Sequence, residues 1–556
     1  MTSAADDRET GTKGSDLLVG SFTEEGPWEL RRGEVSWLRD VEMLREIARR
    51  SVPQMTRPRR LPPGPRVASV VRHLGTAVLA WSMRERKAGG SVSRRGLSRR
   101  LRKAAERLGP TYIKLGQIIA SGKGIFPTEL VEEFEACRDR VPAEPFPVVR
   151  SVIEEDFGKP LEDVFEWFDP DPVAAASIAQ VHRARLASGE HVVVKVQRPT
   201  VRNLVEQDIA VMAWLAPFLV GRIPVAALAN PPALVELFAQ TISEELDFRL
   251  EAANMLDVAA VFADVGQSVY VVPRPHPRLV TERVLVMEEL SGFRPEEVDA
   301  LREAGVDTRA LVTAGLLGFM EGAMLHGVFH GDLHGGNLVV LPDGRIGLLD
   351  YGITGRLGAR GRLAFVRLLV AATMNDVRGQ IEAFRDLGAL PPEIDVDELI
   401  EDLGLDRPPV DPTSLSAEEL TQEIQRAVKG LLEHGARLPK ELMLLIKNLV
   451  FLDEAIATLA PDVDVFSLIA HISEEIARRH GERIASELGM DAGDYRVDLD
   501  GMKAAFGVDP QATPELTYQE ILRRRQVIRE RMRERRRRRS SALFGRFRPR
   551  RRPPRS

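Results

Sequence analysis

The spacing of apolar positions changes several times along the chain. Residues 1 to about 65 are polar and punctuated by proline, with one amphipathic patch, "VSWLRDVEMLREIARR", that predicts a helix; the rest of this lead is expected to be mostly flexible. "RVASVVRHLGTAVLAWSMRERK" repeats helical spacing, interrupted by Arg72 and His73 and followed by a basic run to Arg102. Such a helix packs on its own domain or lies on a membrane surface. Strand spacing then appears in "SIAQVHRARL" and "HVVVKVQ", which flank the turn "ASGE" and predict a hairpin. Helical spacing returns at "ALVELFAQTISEELDFRLEAANMLDVAAVFA", and short strands follow at "SVYVVP" and "RVLVMEEL". From "LVTAGLLGFMEGAMLHG" to about residue 480 the pattern is mostly helical, except for "LVVL", the turn "PDG" and "IGLLDYG", a second hairpin.

Composition narrows the classes. At 556 residues and 44% hydrophobic content, the chain is long enough for two or three domains with substantial cores. A single cysteine, Cys137, excludes an intramolecular disulfide framework and any multi-cysteine metal cluster. The opening "MTSAADDRETGTKGSD" has neither a basic start nor an apolar signal core. The uncharged stretch "IAVMAWLAPFLVG" has 13 residues, short of the roughly 20 that span a bilayer as a helix. A cytoplasmic protein with no signal peptide and no transmembrane helix is expected.

Charge changes the picture at the C-terminus. Residues 523–556 hold 17 arginines against Glu530 and Glu534, a local charge of +15, so an acidic body of −20 precedes the tail. So dense a charge is expected to be disordered, or held against an anionic surface. Nucleic acid and anionic membrane lipid are the candidate surfaces; the body offers no recognisable nucleic-acid module, and Leu543, Phe544 and Phe547 would insert at a lipid interface, so peripheral membrane association is expected ahead of nucleic-acid binding.

Candidate chemistry concentrates in "LHGVFHGDLHGGNLVVLPDGRIGLLDYG", residues 325–352. His326, His330 and His334 recur at helical spacing and suggest a metal site, but Gly327, Gly331, Gly335 and Gly336 argue against one continuous helix. Read as loop, strand, turn, strand and loop, the same stretch puts Asp332 and Asn337 at the spacing of a kinase catalytic loop. Asp350-Tyr351-Gly352 then stands at the metal-binding turn. Phosphoryl transfer needs a cation on the nucleotide phosphates, oxygen ligands for a metal and a carboxylate at the acceptor. Lys195 on the strand "VVVKVQ" would reach the phosphates, with Glu245 holding its ammonium and Glu251 as the second candidate. Asn337 and Asp350 would ligate Mg2+. Asp332 would orient the acceptor hydroxyl or water as base, and His330 would support the loop. Where a glycine-rich loop would cover the phosphates, the chain has Ala174, Ala175, Ala176 and Ser177, so nucleotide geometry should differ from that of an ordinary kinase.

These motifs resemble the UbiB family of atypical kinase-like proteins, also called AarF or Abc-one. "LGPTYIKLGQIIA" is similar to its Lys-x-Gly-Gln signature, here Lys114, Gly116 and Gln117, and "EELDF" to its Glu-x-Asp signature, Glu245 and Asp247. "AAASIAQVH", "VVVK", "HGDLHGGN" and "LLDYG" match its alanine-rich, lysine, catalytic and metal loops, so the likeness spans about residues 105 to 480. The resemblance implies an α+β, two-lobed protein-kinase-like fold with an added N-terminal helical segment. Its parts would be a lead (1–65), the helical segment (66–145), an N-lobe (146–290), a C-lobe (291–480), a helical extension (481–522) and the tail (523–556). It also implies ATP and Mg2+ as cofactors, with slow ATP hydrolysis serving isoprenoid-quinone or other lipid metabolism at the membrane, alongside quinone- or lipid-biosynthesis proteins. Nucleotide contacts fall on Ala174 to Ser177, Lys195, Glu245, Met287, Glu288 and Leu290, and a regulatory role on Lys114, Gly116, Gln117 and Asp247. An ATP-gated scaffold and a small-molecule phosphotransferase of the aminoglycoside or choline kinase type are the competing readings; Lys114 to Gln117 and the alanine-rich loop count against the latter. Two departures from the family stand out: arginines end the chain where bacterial relatives often carry transmembrane helices, and "SGKGIFP" replaces the more usual arginine- and aspartate-bearing turn after the signature.

Overall fold

The alternating pattern of "AQVHRARL" and the valine-rich "HVVVKVQ" form β3 (Ala179–Leu186) and β4 (His191–Gln197), paired antiparallel across the expected turn. They lie within a sheet ordered β1 (Phe165–Phe168), β3, β4, β7 (Val284–Glu288) and β6 (Pro275–Val280), with β2 (Ala174–Ala175) added on β3. The computed structural model describes residues 16–531 except 58, 60, 89, 122–125, 136–141, 220–230, 408–413, 417–418, 420–425, 427–429, 432, 437–438, 492–494, 506–507, 510, 512–514 and 529.

The fold is mixed α+β. Among the described residues, the chain before the sheet forms α1 (Val41–Met55), α2 (Arg66–Arg84), α3 (Gly90–Leu108), α4 (Pro110–Ser121) and α5 (Thr128–Glu135). Next, α6 (Phe146–Phe157) packs Val149, Val152 and Ile153 on Val192, Val194 and Val196 of β4. After β4 come α7 (Val201–Leu219), α8 (Pro231–Glu245) and α9 (Phe248–Asp264). α9 covers the other sheet face, where Phe248 and Met255 share a core with Leu285 and Met287.

The sequence boundary at residue 146 divides what packing unites. Ile209 of α7 and Phe238 of α8 share one core with Val70, Leu97 and Tyr112, so both helices belong with the N-terminal helical segment and not with the sheet. Helix α2 buries Val67, Val70 and Ala77 in its own domain and leaves Val71, Leu79 and Met83 exposed.

The remainder is mostly helical: α10 (Val298–Glu303), α11 (Thr308–Glu321), α12 (Ala359–Thr373), α13 (Val377–Asp386), α14 (Val396–Leu403), α15 (Lys440–Leu459), α16 (Val465–Leu488) and α17 (Leu499–Ala505). α16 runs through the expected boundary at 480 without a break, because its apolar stripe continues to Ile484. The predicted second hairpin is β9 (Leu338–Val340) and β10 (Ile346–Leu348), with β5 (Tyr270–Val271) parallel to β10. β8 (Val328–His330) pairs with β11 (Thr354–Arg356) just before and after it.

Two expectations about the ends are corrected. The lead is not mostly flexible from residue 16 onward: Leu30, Val35, Trp37 and Val41 are buried in the main core, and the Trp37 and Trp28 indoles donate to His276 O and Pro275 O, each at 3.1 Å. Two tryptophans and a few aliphatic anchors outweigh the polar composition around them. The tail begins later than predicted, since 518–528 are helical and Arg525 pairs with Asp453 of α15 at 2.6 Å. The rest of the arginine tail, 532–556, lies outside the described residues. Among the described residues, no helix is long and apolar enough to cross a membrane.

Candidate active site

Lys195 leaves β4 on the face covered by α9, where its ammonium lies 2.7 Å from Glu251 and 3.1 Å from Asp350. Asp247 starts α9 by accepting from Arg249 N, and Glu251 follows one turn later, nearly inaccessible at 2% exposure. Burial pushes the Glu251 carboxyl up to about 7 against the pull of Lys195. Burial also works against the charged form of Lys195, but Asp350 and Glu251 outweigh it and hold the ammonium above its ordinary value.

The expected pairing of Glu245 with Lys195 is thereby corrected. Glu245 is the last residue of α8, and the break at 246–247 separates it from α9. It turns to α4 instead, where Lys114 Nζ meets its carboxylate at 2.8 Å. Burial raises the Glu245 carboxyl despite Lys114. A Cβ added at Gly352 would stand 3.2 Å from Glu245 Cγ, so the pair lies against the Asp350 turn. Gly116 and Gln117 follow Lys114 in the same helix. Asp247 is tied to the Arg249 side chain at 2.7 Å, a helix-starting contact.

The catalytic stretch begins where α11 ends in a π turn, Gly322–His326, closed by Gly327 at φ +69°. His326 sits in that turn near Asp264, His330 in β8, and His334 accepts from Gly336 N, so the three histidines share no helix. His330 Nδ1 accepts from Asp332 N at 3.1 Å and its Nε2–H donates to Leu349 O at 3.1 Å, and burial lowers its pKa. Asn337 donates from Nδ2 to Asp332 O at 3.0 Å, which leaves its Oδ1 as the remaining donor atom. Asp350 is held at φ +58°, a left-handed conformation that costs a non-glycine residue, and its Oδ1 accepts from Gly352 N at 3.1 Å. Its side chain is 47% exposed.

Asp332 meets a cation that the sequence did not assign, Lys447 of α15. Burial alone would raise the Asp332 carboxyl, but Lys447, His334 and Lys114 hold it lowered to about 2. The neighbouring Asn448 is fully buried; it accepts from Leu333 N at 3.1 Å and donates to His330 O. A lysine and an asparagine inside the apolar run "LMLLIKNLVFL" were the available signal, because polar groups so placed must find partners.

The nucleotide-side assignments separate into two kinds. Ala174 and Ala175 form β2 on β3, Ala176 N donates to Ala179 O at 2.8 Å, and Ser177 is buried. Arg198 braces this turn from behind through Ala176 O at 3.2 Å and Glu144 at 2.9 Å. Met287 and Glu288 end β7, and Leu290 packs with Val271, Val339 and Leu341. The Glu288 carboxylate is committed to Thr23 and to Arg274 N, and its own N–H donates to Arg274 O at 2.9 Å, so the side chain is not available to a ligand.

The sheet, the strand lysine paired to a helix glutamate and the facing Asp332, Asn337 and Asp350 define a kinase-like domain. Comparison gives the family: the ABC1 atypical kinase-like domain matches residues 136–384. An uncharacterized protein of Mycobacterium tuberculosis is 37% identical over 386 residues, covering 67% of this chain and 78% of that one. An uncharacterized aarF domain-containing chloroplastic protein kinase of Arabidopsis thaliana is 34% identical over 395 residues, covering 66% and 72%. A probable protein kinase UbiB of Marinobacter nauticus is 31% identical over 384 residues, covering 68% and 70%. The chain belongs to the UbiB (ABC1) family of atypical kinase-like proteins.

Proposed function

We propose that the chain binds Mg2+-ATP between an N-lobe built on the sheet and a helical C-lobe, and acts as a slow ATPase or phosphotransferase. The observation that carries this is the convergence on Lys195, 2.7 Å from Glu251 and 3.1 Å from Asp350. Glu251 fixes the ammonium that would bind the nucleotide phosphates. Asp350, half exposed, and the Oδ1 of Asn337 supply the hard oxygen donors that would hold Mg2+. Bound there, Mg2+ neutralises charge on the phosphates. Asp332, with a pKa of about 2, is ionised at neutral pH and is suited to orienting an acceptor hydroxyl or water and taking its proton late. Lys114, held by Glu245, restrains the cleft from the added helical segment, which favours a restricted substrate over broad protein phosphorylation. Family membership extends the reading to isoprenoid-quinone or other lipid metabolism.

Asp350→Ala is expected to lose most Mg2+-ATP affinity by calorimetry while retaining the wild-type fold; undiminished affinity refutes the ligand assignment. Cells carrying only Asp350→Asn should then share the lipid-quinone profile of cells lacking the protein. A normal profile in those cells would favour a nucleotide-gated scaffold.

A further inference from the structure

Lys447 and Asn448 are neighbours on α15, and both face the catalytic loop. Asn448 is bonded to His330 O and Leu333 N, which ties the helix to the loop on both sides of Asp332. Two turns earlier, Lys440 meets Glu244 at 3.2 Å, and Met443 joins the core of the N-terminal helical segment. α15 is therefore pinned along the stretch that carries Lys447. The ammonium, on a side chain only 20% exposed, is delivered to Asp332 by a fixed helix.

Charge shows what it is placed to do. Three ammoniums, Lys114, Lys195 and Lys447, face four carboxylates, Glu245, Glu251, Asp332 and Asp350. Lys195 serves the Asp350 end of the cleft and Lys114 is held by Glu245. The loop "HGDLHGGN" brings no lysine or arginine of its own to the acceptor end, and its His334 is spent on Gly336 N at 3.0 Å. A terminal phosphate arriving beside Asp332 would set anion against anion in a partly buried cleft, where such repulsion is poorly screened. Among the described residues, Lys447 is the cation paired with Asp332.

We propose that Lys447 receives the terminal phosphate of bound nucleotide beside Asp332, a role that rests on the ATP-binding reading above. In the free protein its partner is the Asp332 carboxylate. With a triphosphate bound, the ammonium bridges that carboxylate and a terminal phosphate oxygen, which keeps Asp332 at the acceptor without leaving two anions face to face. A diphosphate stops short of this contact, so Lys447 separates tri- from diphosphate.

Calorimetry with the Mg2+ complexes of a non-hydrolysable ATP analogue and of ADP, on wild type, Lys447→Met, Lys447→Gln and Lys447→Arg, tests this. The two neutral variants are expected to lose about tenfold in triphosphate affinity and less than about twofold in diphosphate affinity, the loss of one charge-assisted contact. Lys447→Arg should recover most of the difference. Equal losses for both nucleotides mark a merely structural ion pair and overturn the proposal, as does no loss at all. Two neutral variants guard against one failing to fold. A wild-type protein that binds neither nucleotide overturns the ATP-binding reading and this inference with it, whereas wild-type binding without triphosphate discrimination overturns this inference alone.

Discussion

The N-terminal lead and the candidate catalytic stretch 325–352 both include long loops, but they are held in different ways. The catalytic stretch has devices of its own: Gly327 at φ +69°, Asp350 at φ +58°, and two histidines that each accept the N–H two residues on. The lead closes on itself through Leu18 N to Leu30 O and Arg32 N to Asp16 O, and the rest of its order is borrowed. Trp28 and Trp37 donate to the β6 edge, Ser21 N donates to Ala259 O, and Thr23 reaches Glu288. Local polar geometry can be read from a short window of sequence; docking by a few apolar anchors cannot, because the receiving surface lies more than two hundred residues away.

Removing the anchor of the lead should have the largest effect. Trp37 is 5% exposed and donates to His276 O, so Trp37→Ala is expected to cost about 4 kcal/mol of the docking free energy. Because the lead can undock while the core stays folded, hydrogen exchange should rise over residues 16–40 and not in the catalytic stretch. Equal acceleration in both regions would break the distinction between them.

Asn448→Ala attacks the other region and should cost less, about 2 kcal/mol, from leaving His330 O and Leu333 N without their partner. Exchange should now rise around Asp332 while the lead keeps its protection. If the loop stayed protected, its own turns alone would hold it and the contribution of α15 would be small.

The same division explains what was legible in the sequence. The hairpin of β9 and β10 follows from strand spacing around "PDG", and the order of Lys195, Asp332, Asn337 and Asp350 from motifs a few residues long. Glu245 and Glu251 could not be told apart in this way. Six residues separate them in what reads as one helical pattern, and only the break at 246–247 turns one to Lys114 and the other to Lys195. The membership of α7 and α8 in the N-terminal helical core was hidden for a similar reason, since apolar spacing gives the face of a helix and not its partner. Lys447 and Asn448 were visible as polar interruptions of an apolar run, but their targets lie 115 and 118 residues upstream.

Acid should loosen the lead by the smallest amount of the three, through His276. Its Nδ1 accepts from Arg278 N at 3.1 Å and Leu279 N at 3.0 Å, and its ring lies against Trp28 with centroids 4.9 Å apart. Burial lowers its pKa from 6.5 to about 4, with Glu190 opposing the shift and Arg278 adding to it. The unfolded chain therefore binds the proton more readily than the folded one, so this contribution is fully present above about pH 6.5 and is lost as pH falls toward 4. Protonation also removes the Nδ1 acceptor, which releases two backbone N–H groups beside the strand edge that receives Trp28 and Trp37. Between pH 7 and 5.5, before most carboxylates titrate, wild-type tryptophan fluorescence should report partial exposure of the lead. His276→Asn, whose Oδ1 can accept in place of Nδ1 and does not titrate, should flatten that response while leaving exchange in the catalytic stretch unchanged. An equal pH response in both proteins would show that His276 does not carry it.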